Sequence, residues 1–408
     1  MTPGARLAAA AEVIHEILTR KAAADRVLLH WGKAHRFAGS KDRAAIAERV
    51  YTVLRRLNEC AIVTGSSDPR ALVVGSLRAI DSLTTDAIAA LCVDGSHALG
   101  ELSSGERDAL QGRAAELPGH VSLNYPQWLH ADLASAFGER LTIELRALNE
   151  RAPLDLRVNL LKADRESLLE ELKALSLPVK ACVRSATGIR FEPGSDPKLN
   201  SLACYIDGRV EVQDESSQLA VEFAAVKADE IVVDLAAGAG GKTLALAAVM
   251  QNRGCILACD VSAERLERMR PRVVRAGASN IRLAGDPYSG DIADRVGAGA
   301  DIVFVDAPCS GSGTWRRNPE AKWNLTPETL QGYRDIQARL LDRAAVLVNK
   351  QGRVVYAVCS VLPAEGPQQA EAFCARHPDW HVSRHLALTP AQSGTDGFYA
   401  AELKRAAL

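Results

Sequence analysis

The sequence predicts an α/β protein: a doubly wound, Rossmann-like and mainly parallel sheet, preceded by an N-terminal helical domain and a small α+β domain in the middle. Three observations carry this. Residues 1 to about 120 show helical periodicity in their apolar positions. From Glu230 onward, apolar runs of strand length alternate with helical segments, the signature of a parallel sheet covered on both faces. Several of those runs end in an aspartate followed by a turn, which places polar groups at the carboxyl edge of the sheet.

In the first domain, Ile46, Val50, Val53, Leu54 and Leu57 form an amphipathic stripe. Residues 1 to 56 hold eleven Lys/Arg against five Asp/Glu, net +6, whereas residues 57 to 120 hold four against nine, net -5. This asymmetry fits either a solvated helical bundle or a basic face for phosphates. A Pro, Gly and polar stretch from Leu117 to Pro126 marks the boundary, so the first domain is placed at 1–120 and the second at 126–225. Within the second, LDLRVNLL alternates like a strand, ESLLEELKAL reads as a helix, and GIRFEP and GRVEVQD as short strands. The third domain, 226–408, has strands expected at IVVDLAA, CILACDV, NIRLAG, DIVFVDA and RVVYAVC. Helices are expected near 241–252, 262–276 and 327–349, and FYAAELKR reads as a final edge strand.

Composition excludes several classes. The 408 residues are 47% apolar and 24% charged with a net charge of -1, ordinary globular values that force no polyanionic partner. No stretch approaches the roughly 20 apolar residues of a membrane helix, and Glu12, His15 and Glu16 interrupt any signal-peptide core, so a cytoplasmic location is expected. Nine cysteines without a CxxC fit neither a disulfide framework nor a zinc site; no metal is expected.

The first strand of the third domain ends in Asp234 and runs through Ala236, Ala237, Gly238, Ala239, Gly240, Gly241 and Lys242 into a helix. Glycines let a backbone approach a ligand, and the helix start offers free N–H groups. The spacing is neither G-x-G-x-x-G nor a P-loop, which argues against NAD and ATP. Asp260 ends the second strand, where a carboxylate can accept ribose hydroxyls, and Asp286 ends the third, near where an adenine edge would lie. A nucleoside cofactor without a polyphosphate suits this set. The fourth strand runs into Asp306-Ala307-Pro308-Cys309 and the fifth into Val358-Cys359, bringing two thiols to the edge that holds the cofactor. Arg316, Arg317 and Lys322 follow the fourth strand, and either form an exposed charged loop or hold phosphates. Trp323 is expected to pack the loop rather than stack on a base.

The segments DAPCSGSGTWRRNPEAKW, YAVCS, GGKT, VQDESSQLA and DGFYAAEL resemble those of the Nol/Nop/Sun (RsmB-like) family of RNA cytosine-5 methyltransferases, over about residues 150 to 408. The resemblance implies a class I methyltransferase sheet, a NusB-like RNA-binding first domain and a small RNA-contacting middle domain. It also implies S-adenosyl-L-methionine as cofactor, held by Ala236 through Lys242, Asp260, Asp286 and Asp306. Cys359 would be the nucleophile, Cys309 would help release the product, and Asp306 would hold the base edge. Arg316, Arg317 and Lys322 would hold RNA phosphates, in a structured RNA of ribosomal origin with an unpaired or flipped cytidine. A monomer is the expected state. The chemistry explains the residue types. Cytosine carbon 5 becomes nucleophilic only once a thiolate adds to carbon 6, and a thiol is only a few per cent ionised near pH 7.

The chain departs from the family pattern in three places. Its cofactor turn has Ala236-Ala237-Gly238-Ala239 where Cys-Ala-Ala-Pro is frequent, so more entropy is lost on ordering it. Val358 stands for the usual Thr before the second cysteine, and Glu365-Gly366-Pro367 for Glu-Asn-Glu. Transfer RNA as substrate, and a catalytically weak RNA-binding assembly factor, stay open as alternatives.

Overall fold

A computed structural model describes residues 1–112, 117–193, 195 and 197–406. The chain divides into two compact units, one made of Met1–Arg151 with Thr314–Thr326, the other of Ala152–Gly313 with Pro327–Leu408.

The first unit is helical, beginning with Pro3–Arg20, Ala24–Ala34, Ser40–Arg55, Leu57–Thr64 and Pro69–Ala79. Local chemistry sets several starts: Thr2 caps the first helix by accepting from the Ala5 N–H, and Ser103 with Glu106 closes a capping box on Ser104–Gln111. The stripe Ile46, Val50, Val53 and Leu54 is buried with Ile14 and Ile17 in one apolar core. Gly75 lets two helices touch, since a Cβ there would lie 2.1 Å from the Cys60 carbonyl oxygen.

Two further segments belong to this unit. The helices His130–Phe137 and Leu141–Leu148 fall within this unit, which runs to Arg151. The stretch 117–126 holds the short helix Gly119–Ser122, and the expected strand in LDLRVNLL forms at Asp155–Val158. The segment 314–326 also belongs here. Lys322 is fully buried, its Nζ donating to the Arg55 carbonyl (3.0 Å) and Asn149 Oδ1 (2.5 Å). Trp323 Nε1 donates to the Leu54 carbonyl at 2.6 Å, Arg55 donates to the Arg316 carbonyl at 3.3 Å, and Glu320 accepts from the Ala24 N–H at 3.1 Å.

The second unit holds two sheets. The smaller is antiparallel in the order β2-β3-β1-β4, from β1 (Asp155–Val158), β2 (Val179–Ala181), β3 (Gly188–Phe191) and β4 (Val210–Val212). Leu168, Leu169 and Leu172 of helix Arg165–Ala174 cover Leu156, Val158, Ile189 and Phe191. Asp155, Cys182 and Glu215 cluster in the interior, where Arg190 supplies the cation, 2.6 and 2.7 Å from Asp155 and 3.1 Å from Glu215. That buried charge is therefore paired.

The larger sheet is β10-β11-β9-β8-β5-β6-β7, from β5 (Ile231–Asp234), β6 (Cys255–Cys259), β7 (Ile281–Gly285), β8 (Ala300–Asp306), β9 (Val348–Val358), β10 (Trp380–Leu388) and β11 (Phe398–Arg405). All but β11 run in one direction. Helices Gly241–Val249, Ala263–Ala276 and Pro327–Leu347 form near their expected positions. FYAAELKR is not an edge strand: β11 lies between β9 and β10, and its first six residues are buried. The edge is β10, which lacks an apolar run because most of its residues are exposed or half-buried. Among the described residues, no helix is long and apolar enough to cross a membrane.

Candidate active site

The strand order reverses between β5 and β8, so the crevice outside their carboxyl ends is where an open α/β sheet takes a ligand. Asp234, Asp260, Asp286 and Asp306 stand at or just past the ends of β5, β6, β7 and β8. They are not equivalent. Asp234 is buried with Oδ2 accepting from Thr243 Oγ1 at 2.7 Å, and its Oδ1 has no hydrogen-bond partner. Burial, with the Asp306 charge nearby, pushes its pKa up to about 7. Asp260 ties two loops together, accepting from the Gly238 N–H (2.9 Å) and the Ser262 N–H (2.8 Å). Asp286 is exposed and accepts from the Tyr288 N–H at 2.9 Å.

The turn from Ala236 to Gly241 needs its glycines. Gly238 and Gly240 have φ of 57° and 88°, and a Cβ on Gly240 would meet Met269 at 2.5 Å. At Gly238 a Cβ would meet nothing within 4 Å, leaving open space over the turn. Two arginines that the sequence reading did not single out hold the turn from behind: Arg272 donates to the Ala239 carbonyl (2.6 Å) and buried Arg157 to the Gly241 carbonyl (2.7 Å). Their partners lie far along the chain, so no local pattern marks them. Lys242 donates to Asp306 Oδ2 at 2.6 Å. Burial alone would lower the Lys242 pKa, but the Asp306 carboxylate outweighs it and the net shift is upward.

The open face of the turn and the carboxylates of Asp234, Asp260, Asp286 and Asp306 lie along the carboxyl edge of the sheet, making that edge rich in acceptors. It fits the hydroxyls, amines and positive sulfonium of S-adenosylmethionine better than a polyphosphate.

Adjacent parallel pairing of β8 with β9 sets Asp306 opposite Ala357, so Cys309 and Cys359 leave the same edge of the sheet. Their sulfurs are 3.4 Å apart and both residues are half-buried. The loop after β8 is held against the one before β11: Gly313 donates to the Cys359 carbonyl (3.1 Å), accepts from the Gly397 N–H (2.9 Å), and has no room for a Cβ, which would lie 2.0 Å from the Gly397 carbonyl. The hydrogen bond to Cys359, then burial, then the charges of Cys359 and Glu365 raise the Cys309 pKa well above the ordinary thiol value. These causes favour the neutral thiol form of Cys309.

Of the three basic residues expected to meet phosphates, Lys322 does not suit that role. It is sealed inside the helical unit, and burial, with Arg55 adding to it, holds its pKa well below the ordinary lysine value. Arg316 is also buried, while Arg317 is half-buried. Trp323 packs against the helical core, as expected.

A family model for the 16S rRNA methyltransferase RsmB/F matches residues 221–404, and one for the ferredoxin-like domain of RsmF/B-like methyltransferases matches residues 125–196. The probable ribosomal RNA small subunit methyltransferase B of Synechocystis is 32% identical over 69% of this chain and 67% of its own length. The ribosomal RNA small subunit methyltransferase B of Shewanella oneidensis is 28% identical over 98% of this chain and 99% of its own. The crystal structure of the protein PH0851 superposes with a TM-score of 0.78 at 24% identity, covering 99% of each chain, and so shares the fold throughout. With its paired thiols and glycine turn set on this sheet, the chain belongs to the RsmB/F family of 16S ribosomal RNA methyltransferases.

Proposed function

We propose that this protein methylates carbon 5 of a cytosine in small-subunit ribosomal RNA, using S-adenosylmethionine and a transient covalent bond between Cys359 and the base. The observation that carries the reading is the 3.4 Å approach of Cys309 and Cys359. It falls at the sheet edge where Lys242 pairs with Asp306. A single nucleophile needs one thiol, and a second, protonated one at hydrogen-bond range supplies what a two-step addition and elimination requires.

Cys359 adds as thiolate to carbon 6 of the ring, with Asp306 holding the base edge. When bound, S-adenosylmethionine supplies an electrophilic methyl group to the activated carbon 5. The carbon–sulfur bond to Cys359 then breaks as that sulfur takes the proton of the Cys309 thiol, and the Cys309 thiolate so formed accepts the proton leaving carbon 5. Ala236 through Lys242 would hold the cofactor with Asp260 and Asp286. Arg317 is the residue of the basic segment best placed to meet a phosphate, being less buried than Arg316 or Lys322.

The test is incubation with methyl-labelled S-adenosylmethionine and total RNA, followed by bisulfite sequencing. Protected cytosines in small-subunit ribosomal RNA are expected only with active protein. Label in transfer RNA would move the substrate, and no label under varied salt and magnesium would favour an RNA-binding assembly factor.

Asp260→Ala is expected to weaken cofactor binding by about 1 to 3 kcal/mol, the cost of leaving polar partners unpaired, here the Gly238 and Ser262 amides. Calorimetry with S-adenosylmethionine reads it directly. Unchanged affinity would remove Asp260 from the cofactor site.

A further inference from the structure

Each thiol is followed by a serine, and both serines bind one buried carboxylate. Glu365 is fully buried. Its Oε1 accepts from the Ser310 N–H at 2.8 Å and from Gln337 Nε2 at 3.2 Å. Its Oε2 accepts from Ser360 Oγ at 2.6 Å and from the Ser310 hydroxyl. Gln337 also donates to the Pro308 carbonyl at 3.0 Å, on the other side of Cys309. A second tie runs between the same loops: Ser312 Oγ lies 2.8 Å from Ser360 Oγ and accepts from the Val361 N–H at 2.9 Å.

Both serine hydroxyls also accept from backbone N–H groups in this network. The Ser360 hydroxyl gives its proton to Glu365 and accepts from the Leu362 N–H at 3.1 Å; the Ser310 hydroxyl gives its proton to Glu365 and accepts from the Ser312 N–H at 3.3 Å. Four groups able to donate converge on the carboxyl group, two of them serine hydroxyls. Among the described residues no cation pairs with it. A buried unpaired charge is costly and is tolerated only where hydrogen bonds replace water.

We propose that Glu365 is a positioning residue for the two-thiol site: its carboxylate staples the Cys309 loop to the Cys359 loop, fixes the distance between the sulfurs and keeps Cys309 a neutral thiol. The role rests on the two-thiol reading of the reaction, but the staple itself is measurable without it. The charged and titratable groups around the pair are Glu365 itself, Tyr356 on β9, Tyr333 on the helix Pro327–Leu347, and Lys242 with Asp306 at the Cys359 side. Burial raises the pKa values of both tyrosines, which favours their neutral forms. Glu365 is then the negative group whose removal changes the field at Cys309.

The experiment compares the full-length protein with Glu365→Gln, reading iodoacetamide alkylation of the Cys309 and Cys359 peptides by mass spectrometry from pH 6 to 10. In Glu365→Gln the Cys309 profile is expected to move to lower pH. The rate of Cys309–Cys359 disulfide formation with diamide as oxidant should fall at least about tenfold, as the sulfurs lose their fixed separation. Turnover should fall in kcat with the KM for RNA little changed, and Glu365→Asp should restore the Cys309 profile in part. If Glu365→Gln does not fold, Ser360→Ala, which removes one donor only, is expected to show the same changes in smaller size. Unaltered thiol profiles and disulfide rate in a folded variant would overturn the staple. A shifted profile in a protein that never transfers a methyl group would keep the staple and discard the methylation reading instead.

Discussion

Cys359→Ala is expected to reduce methyl transfer by at least about a thousandfold, the scale on which removing a nucleophile acts, while leaving S-adenosylmethionine affinity nearly intact. The sulfur lies outside the 236–242 turn, so the cofactor cradle keeps its Asp260 and Asp306 contacts. Cys309→Ala is expected to behave differently. Addition to the base still occurs, but release fails, and a covalent protein–RNA adduct accumulates as a slow band on a denaturing gel. This division follows from the protonation of Cys309 by its contact with Cys359, by burial and by adjacent negative charge. If the adduct appears with Cys359→Ala and not with Cys309→Ala, the two roles are exchanged.

The second large effect is on stability. Lys322→Ala is expected to destabilise the protein by about 3 to 5 kcal/mol, combining a cavity with two acceptors left dry. Those acceptors are the Arg55 carbonyl and Asn149 Oδ1. The pH dependence has a defined sign. Because the folded state depresses the lysine pKa, the unfolded chain binds more protons in the interval between the two values, and stability rises with pH across it. This contribution is complete above the unfolded value of about 10.4 and declines as pH falls toward the folded one. Urea unfolding at a series of pH values should show the slope in the wild type and a flatter line in Lys322→Met. A lysine on RNA phosphate would give the opposite pattern, an unchanged midpoint with a shallower salt dependence of RNA binding.

The catalytic sheet was readable because its strands are apolar runs cut off by polar residues. IVVD, CILAC and DIVFVD give both the strand and the point where chemistry begins. The two cysteines were readable for the same reason, each falling just past such a run. β10 was not, because an edge strand with one open face carries no continuous apolar signal. Lys322 was misread because a lysine in a segment that also holds Arg316, Arg317 and Glu320 looks solvated, and only the tertiary structure supplies the two oxygens that bury it. Arg157, Arg272 and Gln337 escaped notice for a related reason. Each serves a residue at least 28 positions away, and the sequence has no spacing rule for such pairs.

The segment 314–326 also bears on how the molecule comes to be made. Its anchoring side chains complete a core whose other members end at Arg151, about 160 residues earlier. At roughly 5 to 20 residues per second, a ribosome needs on the order of ten to thirty seconds to supply the missing piece. During that interval the nascent helices wait with an uncovered flank, a high-contact-order arrangement that delays completion and invites chaperone capture.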